Sequence, residues 1–478
     1  MAEGHRRSKK YRQKTKRNDV KMKILIETYG CQMNTADSEL IMGILNAAGF
    51  ESAHSLDEAD VIILNTCAVR EKAEARILGR LTNLVPFKKL KPGLMIGVVG
   101  CMAKHLGEKL VEKVKYVDFV AGPDQYRNLP EIIKNKRKKA EVHVAFDRSE
   151  LYSGCTPTRP RGVTAWVSIQ RGCNYVCTYC IVPHVRGAER NVPAIDILDE
   201  VKRLVSQGFS VITLLGQTVN SYVDGDINFA KLLRMVANIE GVEQVRFTSP
   251  HPLGFSDELI DVIATEPHIA KFVHLPLQSA SNAQLKAMRR VYTFEEYQEI
   301  VRKLREKCPE IAISTDIIVG FCGETEEDYL KTRQALIDNR YAFAFLFAYS
   351  ERSLSIAART MKDDIPNDVK QRRLAEIIDI QQKISKEVYE SFVGKRVEVI
   401  VEGYSRRDAE NAVGNTRDFK TTIFPKGDVE PGDWVEVEIE SATSQTLVGH
   451  CTRILKKGRS PVIEAQLDVG ISLGPSES

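Results

Sequence analysis

The feature that most constrains the fold is an alternation of short apolar segments with amphipathic helical segments. From residue 23 on, the apolar segments KILIETYG, VIILN and LMIGVVG are separated by helical patterns at residues 36–48 and 72–84. Strands that alternate with helices at this interval predict a parallel sheet that is covered by helices. We therefore predict an α/β fold in which residues 23–146 form an N-terminal domain with an open parallel sheet.

The same alternation returns after a loop-rich, basic stretch at residues 147–163, which we interpret as a linker. Residues 164–390 contain the six candidate strands AWVSIQ, VITLLG, QVRFTS, FVHLPLQ, IAISTDIIVG and FAFLFAYS. Amphipathic helical patterns lie between them, for example at residues 194–207 and 294–307. Six such units predict a partial (β/α)6 barrel, whose reactive groups lie at the C-terminal ends of its strands.

A third pattern begins near residue 391. The segments RVEVIVEGY, FKTTIFP, DWVEVEIESA and TLVGHCTRI alternate at period two and are separated by glycine turns. This pattern predicts a small antiparallel β-barrel over residues 391–457. The basic segment 1–22 has no periodic apolar face, and we predict that it is disordered. We predict the same for the segment 458–478, which ends in ISLGPSES.

Three cysteines lie close together behind the strand-like run TAWVSIQ. In RGCNYVCTYC, the residues Cys173, Cys177 and Cys180 have CxxxCxxC spacing. Three thiolates provide one ligand fewer than a closed zinc site or a fully ligated iron–sulfur cluster takes, so a small molecule can bind at the open position. The alternative is a zinc knuckle with a remote ligand such as His184, which is less favoured because zinc sites usually contain paired CxxC units.

Three further cysteines each follow a predicted strand of the N-terminal domain. Cys31 follows KILIETYG, Cys67 follows VIILNT, and Cys101 follows LMIGVVG. Ligands of open α/β sheets bind at the carboxyl ends of the strands, so these thiols are expected at one edge. One such cysteine would be interpreted as a core residue, but three favour a second metal site.

These motifs resemble known families. The CxxxCxxC loop, with Tyr179 before its third cysteine, resembles the radical S-adenosylmethionine (SAM) superfamily, where three cysteines hold a [4Fe–4S] cluster whose fourth iron binds SAM. The segments ETYGCQMNTADSE, NTCAVREKAE and VVGCMA resemble the N-terminal domain of the methylthiotransferases, whose three cysteines hold an auxiliary [4Fe–4S] cluster. GCQMN and NTCAVREKAE match the tRNA 2-methylthioadenosine synthase subgroup, the MiaB type.

The resemblance implies further contacts with SAM. They involve Tyr179 and residues after the second and fourth barrel strands: Gln217, Asn220, Gln278 and Ser279. Arg289 and Arg290 are expected on the helix that follows. Three departures from the family pattern are Thr218 in place of asparagine, Cys322 in place of proline, and YSERSLSIAART in place of a proline–glycine turn.

The C-terminal barrel resembles the TRAM domain, an RNA-binding barrel of the same family. Basic residues beside an aromatic ring suit phosphate contact and base stacking, although a solvated charged face would have the same composition. The candidates at or beside its loops are Arg406, Arg407, Arg417, Phe419 and Lys420. The basic segment 1–22 could bind RNA or serve as a solubilising tail.

The resemblance implies an enzyme that adds a methylthio group to C2 of N6-isopentenyladenosine next to the tRNA anticodon. It implies two [4Fe–4S] clusters, two SAM molecules per turnover, an electron donor such as flavodoxin or ferredoxin, and a sulfur or cluster carrier. The alternatives are modification of threonylcarbamoyl-adenosine or of a ribosomal protein, and a non-catalytic RNA-binding iron–sulfur protein.

The cysteine content and the length of the apolar runs indicate in which compartment the protein is found. The ten cysteines are too sparse for a disulfide scaffold. The longest apolar runs, LMIGVVGCM and YAFAFLFAY, are about half as long as the roughly 20 residues of a membrane span, and no secretory signal is evident. We expect a cytoplasmic monomer that does not bind membranes.

Overall fold

The N-terminal domain is built on a parallel sheet, as predicted. The computed structural model describes residues 21–68, 71–135, 137, 139–160, 162–458 and 471–473. The sheet has the strand order β2-β1-β3-β4-β5-β6, and every neighbouring pair is parallel. Its elements are β1 (Lys23–Tyr29), α1 (Gln32–Ala47), β2 (Glu51–Ser52), β3 (Val61–Thr66), α2 (Glu71–Leu90), β4 (Met95–Gly100), α3 (Cys101–Leu106), α4 (Glu108–Lys113), β5 (Phe119–Ala121), α5 (Leu129–Lys134) and β6 (Glu141–His143).

The central strands of this sheet are continuous apolar runs because helices cover both faces. Every residue of β3 and β4 is buried. One core lies under α1 and α5, and a second core lies under α2, α3 and α4. The predicted helices at 36–48 and 72–84 correspond to α1 and α2, and α2 extends to Leu90 although Pro86 lies inside it.

The middle of the chain forms the predicted partial (β/α)6 barrel. Six parallel strands, β7, β10, β13, β14, β15 and β16, follow each other in chain order, and a single bridge between Val245 and Ile269 joins the two halves. The elements are β7 (Thr164–Ser168), β8 (Gln170–Arg171), α6 (Val182–Arg186), β9 (Arg190–Asn191), α7 (Ala194–Ser206), β10 (Val211–Leu215), β11 (Val223–Asp224), β12 (Ile227–Asn228), α8 (Phe229–Ala237), β13 (Gln244–Phe247), α9 (Asp257–Thr265), β14 (Phe272–His274), α10 (Asn282–Ala287), α11 (Phe294–Lys307), β15 (Ala312–Val319), α12 (Glu326–Asn339), β16 (Phe343–Ala348), α13 (Ile356–Thr360) and α14 (Asn367–Glu390).

Local sequence fixes where the barrel helices start. Thr293 caps α11 and Thr325 caps α12, each in a capping box with the acidic residue three positions later, Glu296 or Asp328. Arg289 and Arg290 lie in the turn behind α10 and not on a helix, which corrects the expectation from the sequence.

The C-terminal domain is a closed five-stranded barrel, also as predicted. Its strands close in the order β17-β18-β19-β21-β20. They are β17 (Arg396–Tyr404), β18 (Asn411–Thr416), β19 (Thr421–Pro425), β20 (Trp434–Ala442) and β21 (Leu447–Lys456). A last strand, β22 (Ile471–Leu473), pairs with β1, although the sequence predicts disorder after residue 457; residues 1–20, 459–470 and 474–478 lie outside the described part.

The C-terminal barrel packs against the N-terminal ends of the central strands. Glu402 accepts hydrogen bonds from Arg246 (2.6 Å) and from Thr164 (3.1 Å), the first residue of β7. The Phe419 ring lies 4.9 Å from the ring of Phe272, the first residue of β14. This barrel is therefore at the end of the central domain opposite to the C-terminal strand ends.

The segment expected to be a linker packs against both neighbouring domains. Tyr152 is buried and stacks on Tyr126 with a centroid distance of 5.7 Å. Arg159 pairs with Glu39 on α1 (3.1 Å) and with Glu200 on α7 (2.5 Å). Buried contacts of this kind fix the two domains relative to each other. Among the described residues, no helix combines the length and apolarity that crossing a bilayer requires.

Candidate metal centres

The first candidate centre lies at the C-terminal edge of the N-terminal sheet. Strands β1, β3 and β4 are neighbours, and Tyr29 pairs with Thr66, which pairs with Gly100. Cys67 and Cys101 directly follow β3 and β4, and Cys31 follows β1 after Gly30. We call this group the sheet-edge site, and its residues are Cys31, Cys67 and Cys101.

A buried amide network supports the loops of the sheet-edge site. The Asn34 side chain accepts a hydrogen bond from the Cys31 backbone (3.3 Å) and donates to the Asn65 side chain (3.1 Å). Asn65 in turn donates to the Asn34 carbonyl and to Ser38, at 2.8 Å each. Because all three polar residues are fully buried, these bonds fix the direction in which the strand ends point.

The thiols of the sheet-edge site differ in their surroundings. A hydrogen bond from Cys67 lowers the pKa of the Cys31 thiol to about 6. Burial raises the pKa of Cys101, and the guanidinium of Arg186 opposes this by donating from Nε to the Cys101 sulfur at 3.2 Å. A donor set of three sulfurs beside a buried cation fits a group that binds thiolates.

The second centre is the loop between β8 and α6, which we call the loop site; its residues are Cys173, Cys177 and Cys180. The Cys173 sulfur lies 3.4 Å from the Thr218 hydroxyl, and Arg290 donates to the Cys177 sulfur at 3.5 Å. The Val182 backbone N–H donates to the Cys180 sulfur at 3.4 Å. Burial raises the pKa of Cys180 to about 12 and also raises that of Cys173.

In the described residues, no three His, Cys, Asp or Glu side chains converge as ligands of one metal ion. Each of the two sites presents three cysteine thiols, which as thiolates are the ligands that iron–sulfur clusters take.

The two centres lie next to each other. Cys101 packs in one apolar cluster with Ile181 and Val185. Ile181 directly follows Cys180 of the loop site, and Val185 lies on α6. The Arg186 guanidinium, carried by α6, reaches the Cys101 sulfur. Groups bound at the two sites would therefore be neighbours.

The predicted SAM residues differ in how many of their side-chain groups already have partners within the chain. Tyr179 packs edge-on against Phe321 (6.5 Å). Gln217 accepts a hydrogen bond from the Gly172 backbone at 2.5 Å, and the Asn220 amide is bonded to the His251 backbone at 2.7 and 2.8 Å. Ser279 is fully buried beside Thr332 (3.1 Å). Gln278 follows β14 by four residues, is also buried and has a positive φ of 71°.

Sequence reasoning missed a stacked pair beside the loop site. The Tyr175 and His251 rings lie 4.0 Å apart and nearly parallel. Leu253 N–H donates to His251 Nδ1 (3.1 Å), and burial lowers the pKa of His251 to about 3, so the imidazole is neutral. The signal in the sequence was an aromatic residue inside the cysteine loop and a histidine just after a barrel strand.

The altered segment YSERSLSIAART also contacts the loop site. Ser355 caps α13, and the Ala357 backbone N–H donates to the Thr178 carbonyl at 2.8 Å. Cys322 is buried beside Tyr349 and Phe321, in a cluster against which Tyr179 also packs. Ser355 thus fixes the start of α13 in this altered segment.

The predicted RNA-binding residues fall into two groups. Arg406 and Arg407 are exposed in the turn between β17 and β18, and neither forms an ion pair with a described residue. Arg417 pairs with Glu398 (2.6 Å), and Phe419 packs between Phe272 and the Arg246 guanidinium. Lys420 is buried and pairs with Asp418. The last three residues are used in contacts within the chain, which the sequence did not predict.

Comparisons with known proteins agree with this architecture. Family profiles match residues 23–122 (Uncharacterized protein family UPF0004), 167–336 (Radical SAM superfamily) and 390–452 (TRAM domain). In solved structures, the chain resembles the radical SAM methyltransferase TsrM from Kitasatospora setae with cobalamin and a [4Fe-4S] cluster bound, with a TM-score of 0.51 and 14% identity over 69% of this chain and 75% of that chain. This likeness concerns the fold.

Curated relatives match nearly the whole chain. A tRNA-2-methylthio-N(6)-dimethylallyladenosine synthase from Chloroherpeton thalassium is 46% identical over 90% of this chain and 96% of its own length. One from Bacteroides thetaiotaomicron is 43% identical over 90% of this chain and 96% of its own length.

Fold, domain order and cysteine pattern together define a radical SAM enzyme with an auxiliary N-terminal domain and a TRAM barrel. Within that class, the chain belongs to the family of the tRNA-2-methylthio-N(6)-dimethylallyladenosine synthases.

Proposed function

We propose that this protein adds a methylthio group to C2 of N6-isopentenyladenosine beside the anticodon of tRNA. The observation that carries the proposal is the pair of adjoining three-cysteine sites, joined through Cys101 and α6. Each site leaves one coordination position open, so each can hold a [4Fe–4S] cluster that still binds a further ligand. Relatives that match the full domain set carry the name of this activity.

In this proposal the loop site holds the radical cluster through Cys173, Cys177 and Cys180. When bound, the two clusters and SAM supply the radical that attacks C2 and the sulfur and methyl group that replace its hydrogen. Arg290 is buried and donates to the Cys177 sulfur, so it favours the thiolate and fixes the loop. The stack of Tyr175 on neutral His251 also positions this loop.

The sheet-edge site holds the auxiliary cluster through Cys31, Cys67 and Cys101. The buried Asn34–Asn65 network keeps the three strand ends in register, and Arg186 places a positive charge beside the sulfur of Cys101. A cluster held by three thiolates is negatively charged, and a buried cation next to it offsets part of that charge.

We assign SAM to the C-terminal strand ends of the barrel, beside Tyr179, Gln217, Asn220, Gln278 and Ser279. Gln217 and Asn220 follow β10, and Gln278 and Ser279 follow β14. Since the Asn220 amide and the Ser279 hydroxyl already have partners in the chain, we propose that they shape the binding surface. The Gln217 oxygen is bonded to the Gly172 N–H, so we propose that the Gln217 amide nitrogen and Gln278 make the direct contacts.

We propose that the C-terminal barrel binds tRNA through Arg406 and Arg407, because their side chains are exposed and free of ion pairs among the described residues. An electron donor such as flavodoxin or ferredoxin and a sulfur or cluster carrier are further expected partners. We place the reaction in the cytoplasm, where its substrate tRNA is found, and expect the protein to act as a monomer.

The ligand assignment is tested by iron analysis of anaerobically prepared protein. Wild type should hold about eight irons per chain. Alanine at Cys173, Cys177 and Cys180 should remove about half of them and abolish 5′-deoxyadenosine formation from SAM. Alanine at Cys31, Cys67 and Cys101 should remove the other half, spare 5′-deoxyadenosine and abolish methylthio transfer.

The matched control replaces three cysteines that belong to neither site, Cys155, Cys308 and Cys451, and should retain all of the iron. Full iron content in either test variant would refute the corresponding site. Nucleoside analysis of tRNA incubated with the enzyme decides the substrate: a methylthio group on threonylcarbamoyl-adenosine, and none on isopentenyladenosine, would refute the proposed reaction.

A further inference from the structure

Arg186 belongs to one metal centre by sequence and to the other by contact. It is the last residue of α6, six positions after Cys180 of the loop site. Its guanidinium nevertheless donates from Nε to the Cys101 sulfur at 3.2 Å, across 85 residues of sequence. Arg186 is therefore a direct link from the central domain to the sheet-edge site.

Several buried groups hold the guanidinium in this position. Arg186 Nη2 donates to Asp37 Oδ2 at 2.9 Å, and the other Asp37 oxygen accepts from Arg171 at 3.0 Å. The Tyr126 hydroxyl donates to Asp37 as well (3.3 Å). Asp37 has no exposed surface and Arg186 is 5% exposed, so neither side chain can move without breaking a buried ion pair.

One nitrogen of the Arg186 guanidinium takes no part in these contacts. Its Nη1 is buried and has no hydrogen-bond partner among the described residues. An unpartnered buried donor of a charged group is destabilising, and such groups usually indicate a ligand or an ion. Since the neighbouring Nε is on a cysteine sulfur, a further sulfur acceptor supplied by the bound cluster fits this nitrogen.

We propose that Arg186 is a positioning residue that raises the reduction potential of the auxiliary cluster by donating N–H bonds to its sulfurs. This inference rests on the proposed function, in which Cys31, Cys67 and Cys101 hold that cluster. Hydrogen bonds to cluster sulfurs and a nearby positive charge both favour the reduced, more negative state. The central domain thereby tunes a cluster that is held by the N-terminal domain.

The test isolates the auxiliary cluster and measures its potential. In the background with alanine at Cys173, Cys177 and Cys180, redox titration followed by electron paramagnetic resonance should report one cluster. Arg186→Met should make reduction at least about tenfold less favourable, which for a one-electron couple is a shift of about 59 mV to more negative potential. Arg186→Lys keeps the charge and loses the forked donor, so it should give a smaller shift in the same direction.

Arg159→Met is the matched control. Arg159 is also a buried arginine at the interface of the two domains, but it pairs with Glu39 and Glu200 and with no cysteine. It should leave the potential and the spectrum unchanged.

An unchanged potential and spectrum in Arg186→Met with about four irons retained would overturn the inference. If the methionine variant loses its iron, Arg186→Lys decides the question. A more negative reduction potential in Arg186→Lys supports the proposed role, and an unchanged potential refutes it. A background protein with no iron at all would refute the ligand assignment of the proposed function, and the inference would fall with it.

Discussion

At the scale of single residues, two glycines make room for the sheet-edge site. A Cβ on Gly30 would lie 2.3 Å from Asn34 Oδ1. A Cβ on Gly100 would lie 2.6 Å from Asn65 Oδ1 and 2.7 Å from the Thr66 carbonyl, and Gly100 also has a positive φ of 92°. The polar network that orients the cysteines therefore requires glycine directly before Cys31 and Cys101.

Gly100→Ala tests this requirement. The added methyl group must displace Asn65 or the Thr66 backbone, so we expect the protein to lose about half of its iron while 5′-deoxyadenosine formation persists. Iron analysis and SAM cleavage measure both effects. Gly79→Ala on α2 is the control, because nothing lies within 4 Å of its added Cβ and alanine favours a helix. Full iron content in Gly100→Ala would contradict the proposed role of this glycine.

At the scale of elements, helix α1 connects the two large domains through a buried carboxyl. Glu39 is 3% exposed and pairs with Arg159, which also pairs with Glu200 on α7. Burial raises the pKa of Glu39 from 4.5 to about 7. The interface between α1 and α7 is therefore expected to respond to pH.

The sign follows from proton binding. A raised pKa means that the folded protein holds this proton more tightly than the unfolded chain, so the Glu39 contribution to the free energy of unfolding falls between pH 4.5 and 7 and stays low above pH 7. The loss is at most about 3 kcal/mol. Glu39→Gln lacks this titration, so its thermal midpoint should rise relative to wild type between pH 5 and pH 8.

The control for this comparison is Glu327→Gln. Glu327 is an exposed residue of α12, and its one ion pair among the described residues is with Lys331, one helical turn further along α12. Its midpoint should follow wild type at every pH. A difference between Glu39→Gln and wild type that is the same at pH 5 and pH 8 would mean that Glu39 does not titrate in this range.

At the scale of the whole molecule, the C-terminal barrel and the metal centres lie at opposite ends of the central barrel. Glu402 and Phe419 contact Thr164, Arg246 and Phe272 near the starts of central strands. The cysteines lie near the strand ends on the other side. A tRNA bound by the C-terminal barrel would therefore have to extend along the molecule to reach the metal centres, so we expect this barrel to contribute affinity and not chemistry.

Alanine at Arg406 and Arg407 should weaken tRNA binding and leave SAM cleavage without tRNA unchanged. When a phosphate contact is lost, tRNA binding releases fewer counterions. The slope of log K against log salt should therefore become less steep by about 0.7 to 0.9 per arginine. Filter binding over a salt series measures this. Arg396 and Arg453 serve as control positions because both are exposed but paired with Glu436 or Glu438. Equal effects at both pairs of arginines would argue against a specific RNA surface at this turn.

The order of strands and helices, the three domain types and the two sets of cysteines could all be predicted from the sequence. Hydrophobic periodicity is a local property, and parallel strands bring their carboxyl ends to one edge, so Cys31, Cys67 and Cys101 could be grouped from their positions after β1, β3 and β4. The spacing of Cys173, Cys177 and Cys180 on one short loop is likewise visible without a structure.

The side chains that face each other across domains could not be predicted in this way, because they depend on tertiary packing. Asp37, Arg171 and Arg186 look like ordinary charged residues in the sequence, and their buried network beside Cys101 depends on how α1 and α6 pack. For the same reason Arg417, Phe419 and Lys420, which suit RNA by composition, are used within the chain. Contacts between residues that lie tens to hundreds of positions apart depend on packing and on the cost of burying charge. Local sequence patterns therefore do not predict them.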